Sequence, residues 1–363
     1  MRTGLALKGS VLATVVFLTA AVPNKINTTV MTGVDAPLKS ISTLAFGPNG
    51  VLYTADPQAA TIYAIELGAA ATKGTAGTKD VVGVDAQVAS LLGTDASQIT
   101  ITDLAVDART RNSYMSVMRG KGMDAKPALM RVDGDGQVSI VDMETLKYTA
   151  ISLPNAPDAN GGQARSQSVT DMAYQDGTLY VAGLSNEEFS SKLRALPYPF
   201  KEADRGTSVE IYHGSHGGFE TRSPVFSFVP LTIDNQPYLI GGYLCTPLVK
   251  FPVASLAPGA KVQGTTIAEL GAGNRPIDMI TYKKDGKQFL LMANTSRGVM
   301  KIPTASFGSD APITAPVNGT QGVAYETIAS MQGIVQMDLL DATHSVVLAK
   351  AGTALNLQAV ILP

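Results

Sequence analysis

The chain has 363 residues, 28 Lys and Arg against 30 Asp and Glu, a formal net charge of −2, one cysteine and no tryptophan. Its basic residues nowhere form the concentrated footprint that nucleic acid phosphates require, which excludes nucleic acid as a partner. A single cysteine cannot form an internal disulfide, so the fold has to be stabilised by its hydrophobic core.

The first 21 residues are typical of a secretory signal peptide. Arg2 and Lys8 precede an uncharged run over residues 11–21, which ends on the small residue Ala21. This run is too short to cross a bilayer, and no later stretch of about 18 apolar residues replaces it. The sequence predicts cleavage after Ala21, a periplasmic or secreted protein with no remaining transmembrane segment, and a single domain over residues 22–363.

Short apolar runs separated by turn residues follow, and they repeat one outline of strand, tight turn, strand, loop and strand. In chain order the outline opens at Thr43, Asp103, Asp171, Ser227, Asp278 and, more weakly, Tyr325. Turns such as Asn49-Gly50, Asp176-Gly177 and Asp285-Gly286 supply the positive φ angles that two-residue hairpins require. Six copies at a mean spacing of about 56 residues predict an all-β fold, a β-propeller of four-stranded antiparallel blades, with six blades preferred over seven.

The repeat openings also carry a resemblance to a known group. DLAVD, from Asp103, and TLAFGPNG, from Thr43, resemble strands of the NHL, YVTN and gluconolactonase-like propeller superfamily. The resemblance extends over most of the chain after residue 21, and it implies a propeller. Gluconolactonase-like members bind a divalent metal through an axial Glu and Asn or Asp residues, whereas the first repeat here opens on Thr43 with no acidic residue.

Two segments, residues 84–93 and 187–196, have the periodicity of short helices. The second lies in a long connection, residues 185–208, between the second and third strands of the third repeat. Connections of this length are uncommon in compact domains unless they serve a function. We expect residues 185–208 to be an insertion on the pocket face, acting either as a lid or as a solvated helix packed on the rim.

In a propeller, the loops between second and third strands and the connections between blades lie on one face. Polar residues concentrate in these connections and at the openings of the inner strands. The residues predicted to line an axial ligand site are Asp103, Arg119, Arg165, Asp171, Asn186, Glu187, Glu188, Cys245, Arg275, Asp278, Asn294 and Arg297. Guanidinium groups bind anions, and crowded carboxylates bind hard cations such as calcium, so we expect a small polar or anionic ligand, with or without a metal ion.

The three inner aspartates have a second interpretation. Asp103, Asp171 and Asp278 occupy matching positions, where a carboxylate can instead connect neighbouring blades by hydrogen bonds. The two interpretations differ in whether the carboxylates face a ligand or the backbone.

The segment YHGSHGGFET, residues 212–221, contains two of the three histidines. His213 and His216 are followed by Glu220, and the repeat assigns them to an outer hairpin on the face away from the pocket. One interpretation is a glycine-rich turn. The other is a copper or zinc site, because neutral imidazoles favour these metals and Glu220 offers an oxygen.

Three functional hypotheses follow. The first is an exported propeller that binds a small polar molecule in its axial pocket, and the second is a non-catalytic scaffold for a protein partner. The third is a copper or zinc protein that uses His213, His216 and Glu220, with oxidoreductase chemistry as its extension. The chain has no nucleophile elbow, P-loop or haem-attachment motif, so the sequence leaves open whether it is an enzyme.

Overall fold

A computed structural model describes residues 30–68, 79–245 and 247–363. The predicted signal peptide, residues 1–21, lies outside the described residues. Within those ranges no helix has the length and apolar character that crossing a membrane would require.

The described residues form short strands and two short α-helices. The strands are β1 (Val30–Val34), β2 (Leu44–Phe46), β3 (Val51–Asp56), β4 (Thr61–Glu66), β5 (Ile99–Val106), β6 (Ser113–Arg119), β7 (Lys126–Val132), β8 (Val138–Ile140), β9 (Lys147–Ser152), β10 (Asp171–Gln175), β11 (Thr178–Leu184), β12 (Ser191–Pro197), β13 (Thr207–His213), β14 (Gly218–Glu220), β15 (Ser227–Ile233), β16 (Gln236–Gly242), β17 (Pro247–Pro252), β18 (Lys261–Gln263), β19 (Thr265–Glu269), β20 (Pro276–Lys284), β21 (Lys287–Asn294), β22 (Gly298–Pro303), β23 (Gln321–Gly322), β24 (Glu326–Thr327), β25 (Ile334–Leu339), β26 (His344–Ala351) and β27 (Ala354–Ile361). The helices are α1 (Val84–Leu91) and α2 (Gln163–Ser166). Helix α1 lies where the periodicity of residues 84–93 predicts it.

Tight turns join the first two strands of several blades. The turn between β10 and β11 passes through Asp176 and Gly177, with φ of 49° and 84°, and the turn between β20 and β21 passes through Asp285 and Gly286, with φ of 51° and 72°. Two successive positive φ angles match the right-handed twist of the flanking strands. The hairpins predicted from the Asp-Gly pairs are therefore confirmed.

Six antiparallel sheets form the blades of a β-propeller, as the repeats predict. Blade 1 contains β2, β3, β4 and β9 with β1 outermost; blade 2 contains β5 to β8; blade 3 contains β10 to β14; blade 4 contains β15, β16, β17, β19 and β23; blade 5 contains β20, β21, β22 and β24; and blade 6 contains β25 to β27. Strand β18 pairs in parallel with β13. The blades thus have three to five strands rather than four in each.

The order of the blades around the ring differs from their order in the chain. The inner strands contact one another in the sequence β2, β5, β25, β20, β15, β10 and back to β2. Blade 2 therefore lies between blades 1 and 6, and blade 3 lies on the other side of blade 1. In the chain, all of blade 2 is inserted between β4 and β9, the third and fourth strands of blade 1.

The ring is closed by contacts between distant parts of the chain. Val81, which precedes blade 2, pairs with Leu357 on β27 of blade 6. The N–H of Gly83 donates to Oδ1 of Asn356 at 2.9 Å, and the N–H of Leu355 donates to Oδ1 of Asp85 at 3.0 Å. The segment before blade 2 therefore serves as the outer edge of blade 6.

The core is divided among the contacts between neighbouring blades. Six clusters of buried apolar side chains lie between blades 1 and 2, 2 and 6, 6 and 5, 5 and 4, 4 and 3, and 3 and 1. Each fully buried aliphatic or aromatic side chain stabilises the fold by about 1.5–3 kcal/mol. Because every cluster joins two blades, the packing independently supports the ring order given by the inner strands.

The segment predicted to be one long connection, residues 185–208, contains a strand instead of a helix. Strand β12 pairs with β11 along its whole length, from Ser191 opposite Leu184 to Pro197 opposite Thr178. It is the third strand of blade 3, and only residues 185–190 and 198–206 are connections. The prediction of a helix over residues 187–196 within a single insertion is therefore wrong.

Strand β12 contains two charged residues that are buried, and for this reason its sequence resembles that of a polar connection. Lys192 and Arg194 are each only 1% exposed. Nζ of Lys192 lies 2.7 Å from Oε2 of Glu187 and 2.7 Å from Oγ of Ser208, which compensates its burial. Since β12 is the third strand, β13 becomes the fourth, and its last residue, His213, lies on the pocket face.

Candidate functional site

Six side chains, one from each blade, line a single cavity at the pocket-face end of the propeller axis. In ring order they are Asp103, Thr43, Asp171, Ser227, Asp278 and Gln336. We call these six residues the axial ring. Carboxylates alternate with neutral polar groups around it, and the cavity has a volume of about 180 Å³.

Each aspartate of the axial ring connects two blades through backbone N–H groups. Its Oδ1 accepts from the next residue of its own strand, and its Oδ2 accepts from the inner strand of the following blade. The bonds are Asp103 with Leu104 (2.8 Å) and Leu44 (2.6 Å), Asp171 with Met172 (2.7 Å) and Phe228 (2.7 Å), and Asp278 with Met279 (2.8 Å) and Met337 (2.7 Å). These carboxylates have the blade-connecting role that the sequence left as an alternative.

A fourth aspartate repeats the arrangement one layer further from the pocket face. Asp338 lies two residues after Gln336 on β25, and it accepts from the N–H groups of Leu339 and Val106, both at 2.7 Å. It connects blade 6 to blade 2. The residues predicted to line the axial site do not include Asp338, Thr43, Ser227 or Gln336, although Thr43 and Ser227 open their repeats at positions that match Asp103. The predicted opening of the sixth repeat at Tyr325 is wrong, because the inner strand of blade 6 begins at Ile334, and this displacement left Gln336 out of the alignment.

The buried position of these carboxylates shifts their pKa values upwards. Loss of solvation raises the pKa of Asp171 to about 7 and that of Asp338 to about 6, although the N–H groups that each accepts oppose the shift. Loss of solvation and the neighbouring carboxylates raise the pKa values of Asp103 and Asp278 well above the ordinary range. The axis is therefore partly protonated near neutral pH.

A second cavity of about 300 Å³ lies on the other side of the axial ring. The three ring aspartates and Asp338 line it together with apolar residues that include Phe46 and Tyr174. At the mouth on the pocket face, the guanidinium of Arg275 lies 5.5 Å from the ring centroid of Phe226. The charged residues that line the two axial cavities are thus four aspartates and one arginine.

Three other arginines predicted to line the axial site lie elsewhere. Arg165 donates to the carbonyl oxygens of Gln58 at 2.8 Å and Pro157 at 2.6 Å, which fixes helix α2 against blade 1. Arg119 is exposed, and Arg297 lies against the backbone at Gly271. The guanidinium groups therefore do not converge on the axis.

The predicted residues of the 185–208 segment and the predicted residue Asn294 of blade 5 are also absent from the lining of both axial cavities. Glu187 forms ion pairs with Lys192 and Arg205, and Asn186 and Glu188 are exposed or partly exposed. Asn294 is buried, accepts from the side-chain amide of Asn274 at 3.1 Å and donates to the carbonyl of Met292 at 3.0 Å. Among the predicted ligand residues, the structure brings Asp103, Asp171, Asp278 and Arg275 together at the axis.

Cys245 lies away from the axis, in a second cluster with the two histidines of YHGSHGGFET. One ligand atom of each of His213, His216 and Cys245 lies within 4.8 Å of the others. We call these three residues the rim cluster. The predicted position of the histidines on the opposite face is wrong, because His213 ends the fourth strand of blade 3, on the same face as the β16–β17 loop that carries Cys245.

Comparisons with known proteins give matches among solved structures only. No protein-family model matches the chain, and no curated protein matches it. One similar structure is a PQQ-bound aldose sugar dehydrogenase from Streptomyces coelicolor, with 12% identity, coverage of 93% of this chain and 99% of the other, and a TM-score of 0.35. Two others are a putative glucose dehydrogenase from Thermus thermophilus (12% identity, coverage 92% and 100%, TM-score 0.34) and a gluconolactonase from Xanthomonas campestris (11% identity, coverage 92% and 90%, TM-score 0.33).

Proposed function

We propose that this chain is an exported propeller that binds a small, hydroxyl-rich, neutral or cationic molecule at the axial ring. Export is inferred from the signal-peptide pattern of residues 1–21. The observation that carries the proposal is the convergence of six polar side chains, one from each blade, on one cavity. Concave sites with convergent polar groups and perturbed pKa values are typical of ligand binding in propellers and other folds.

The charge of the axis selects the class of ligand. Four aspartates and one arginine line the two cavities, so carboxyl groups outnumber cationic groups at the axis, even with part of the carboxyls protonated near neutral pH. A hydroxyl or ammonium group can instead donate to the carboxylate lone pairs that the backbone leaves free. A neutral or cationic ligand is therefore favoured over the anionic ligand that the sequence also suggested.

The axial ring offers one polar atom that the rest of the described structure does not use. Oγ1 of Thr43 is buried and has no hydrogen-bond partner among the described residues. Thr43 lines the same cavity as Asp103 and Asp171, and the adjacent Leu44 N–H donates to Asp103. A buried hydroxyl without a partner is costly, and a bound ligand would relieve that cost.

The spacing of the axial carboxylates argues against a metal ion shared among them. Among the residues that the structure describes, the rim cluster is the one group of three or more His, Cys, Asp or Glu residues whose ligand atoms lie within 4.8 Å of one another. The aspartates of the axial ring are held further apart by the backbone groups that they accept. A calcium ion bound directly by several of these carboxylates is therefore disfavoured.

Calorimetric titration of the full chain tests the proposal. The probes are glucose as a neutral polyol, choline as an organic cation and gluconate as an anion. We expect glucose or choline to bind and gluconate not to bind. Gluconate binding more tightly than both, or no binding by any probe, would contradict the proposal.

Thr43→Val is the matching variant, because valine keeps the shape of threonine and removes the hydroxyl. We expect it to weaken binding at least tenfold while the melting temperature stays the same or rises, since a buried donor without a partner is lost. Thr149→Val, on the outer strand β9, is the control and should leave binding unchanged. Equal binding by Thr43→Val and the unsubstituted chain would argue against the axial ring.

A further inference from the structure

The rim cluster brings together ligands from two blades. His213 ends β13 of blade 3, and His216 follows it in the turn before β14. Cys245 lies in the β16–β17 loop of blade 4, and one ligand atom of each residue lies within 4.8 Å of the others. Two imidazoles and one thiol form a donor set that suits copper and zinc.

A carboxylate fixes the protonation of both imidazoles. Oε1 of Glu220 accepts from Nδ1 of His213 at 2.9 Å and from Nδ1 of His216. A carboxylate oxygen accepts hydrogen bonds, so this contact places a proton on Nδ1 of each ring. With the proton on Nδ1, each histidine keeps the lone pair of Nε2 for a metal, as in carboxylate–histidine–metal arrangements.

Nε2 of His213 is occupied by a group that a metal ion can displace. Oγ of Ser215 lies 2.9 Å from this nitrogen and donates its hydroxyl proton when Nδ1 carries the ring proton. Ser215 is partly exposed and adjoins the site, so its hydroxyl can turn to solvent. The hydrogen bond from Ser215 therefore shows that Nε2 of His213 has a lone pair that a metal ion could use instead.

Backbone contacts hold the ligands in place. The histidine rings lie 3.9 Å apart between centroids, and the Cys245 N–H donates to the carbonyl of Asn274 at 2.8 Å. The N–H of Gly214 donates to Glu269, a residue of blade 4 that is 1% exposed. Ligand atoms of a tetrahedral site with bonds of about 2.0–2.3 Å lie roughly 3.3–3.8 Å apart. The ligand atoms of the rim cluster lie within 4.8 Å of one another, so binding an ion requires them to approach by no more than about 1.5 Å.

We propose that the rim cluster is a binding site for a copper or zinc ion, with His213, His216 and Cys245 as ligands. Glu220 then orients the imidazoles and does not ligate the metal. His213 is buried and His216 has a side-chain exposure of 53%, so the site has one closed side and one side open to solvent. A metal ion there connects blade 3 to blade 4, and its fourth position faces solvent.

Metal titration of the full chain, purified and treated with chelator, tests this site. Zinc, copper(I) and cobalt(II) are titrated separately, the first two against a chelator of known affinity. We expect one ion per chain, and the stronger competitor of the two identifies the preferred metal. Cobalt(II) should give a thiolate-to-metal charge-transfer absorption together with the visible bands of a four-coordinate ion. A protein that competes for neither zinc nor copper(I) would overturn the proposal.

Three substitutions at exposed or partly exposed positions test the roles of these residues without disturbing the core. Cys245→Ser should abolish the charge-transfer absorption, and His216→Ala should lower the affinity at least 100-fold. Glu220→Gln should lower it by about 10–100-fold, as expected for a carboxylate that orients ligands. Far-ultraviolet circular dichroism confirms that each variant is folded.

His344→Ala is the matched control, because His344 is the third histidine and bonds to Asp341, away from the rim cluster. It should leave affinity and spectrum unchanged. Retention of one tightly bound ion in Cys245→Ser and His216→Ala, or equal loss in His344→Ala, would assign the metal to other residues.

Discussion

The axial ring contains carboxylates and the rim cluster lies beside one, Glu220, and these carboxylates accept hydrogen bonds from different kinds of donor. At the axis, each aspartate accepts one backbone N–H group from its own strand and one from the neighbouring blade, so the carboxylate connects two blades. At the rim, Glu220 accepts from two imidazoles, and each imidazole keeps a second nitrogen for another partner. Atoms that the fold does not already use for hydrogen bonds, such as the second nitrogen of each imidazole, are therefore the ones that indicate a binding function.

The largest expected effect comes from removing one axial carboxylate. Asp171→Ala leaves the N–H groups of Met172 and Phe228 without an acceptor between blades 3 and 4. Each buried donor without a partner costs about 1–3 kcal/mol, so the loss of both acceptors should lower the free energy of unfolding by roughly 2–6 kcal/mol. Urea denaturation measures it, with the exposed Asp135→Ala as control. A loss no larger than that of the control would show that the axial carboxylates are not structural.

A smaller effect should appear as a dependence of stability on pH. The pKa of Asp171 is about 7 in the folded chain and near 3.8 when unperturbed. Because the folded value is raised, the stability from this group is fully present below pH 4 and is lost as the pH rises through 7. One such proton contributes a slope of at most about 1.4 kcal/mol per pH unit.

Asp171→Asn separates this contribution from those of other groups. Its free energy of unfolding should fall less steeply between pH 5 and pH 7 than that of the unsubstituted chain, because residue 171 no longer titrates. The slopes are compared rather than the absolute values, since asparagine also loses one acceptor. Identical slopes would mean that Asp171 does not titrate in this range.

The smallest effect is expected at the rim. Without metal, Cys245→Ser should change the free energy of unfolding by no more than about 0.5 kcal/mol, because Cys245 is partly exposed and its N–H bond to Asn274 is retained. Denaturation in the presence of chelator measures this. A loss comparable to that of Asp171→Ala would show that Cys245 is part of the core, and the contrast between the two regions would disappear.

Repeats and turns made most of the fold predictable. Asp-Gly pairs such as Asp176-Gly177 define hairpins through local chemistry, and the matching openings at Asp103, Asp171 and Asp278 placed three carboxylates at one level of the axis. The ring order was not predictable in this way. Each repeat resembles the others, so nothing local indicates that blade 2 lies beside blade 6.

The rim cluster shows how one misassigned strand hides a site. Lys192 and Arg194 are buried on β12. Because both side chains are charged, the sequence of this third strand of blade 3 was interpreted as a polar connection. His213 was therefore assigned to the wrong face, away from Cys245. Recognising the ion pair between Lys192 and Glu187 requires the folded structure, because burial of a lysine is unusual without a partner.

The insertion of blade 2 within blade 1 also constrains how the chain can fold during synthesis. Blade 1 lacks β9 until residue 152 has been made, and blade 6 completes its edge with a segment made about 270 residues earlier. Such long-range pairings delay folding, and the early strands must stay unpaired without aggregating. Simple repeat proteins can gain or lose a repeat at one end of the chain. Here such a change would disrupt the pairings between distant segments that close the ring, so the number of blades is fixed by ring closure.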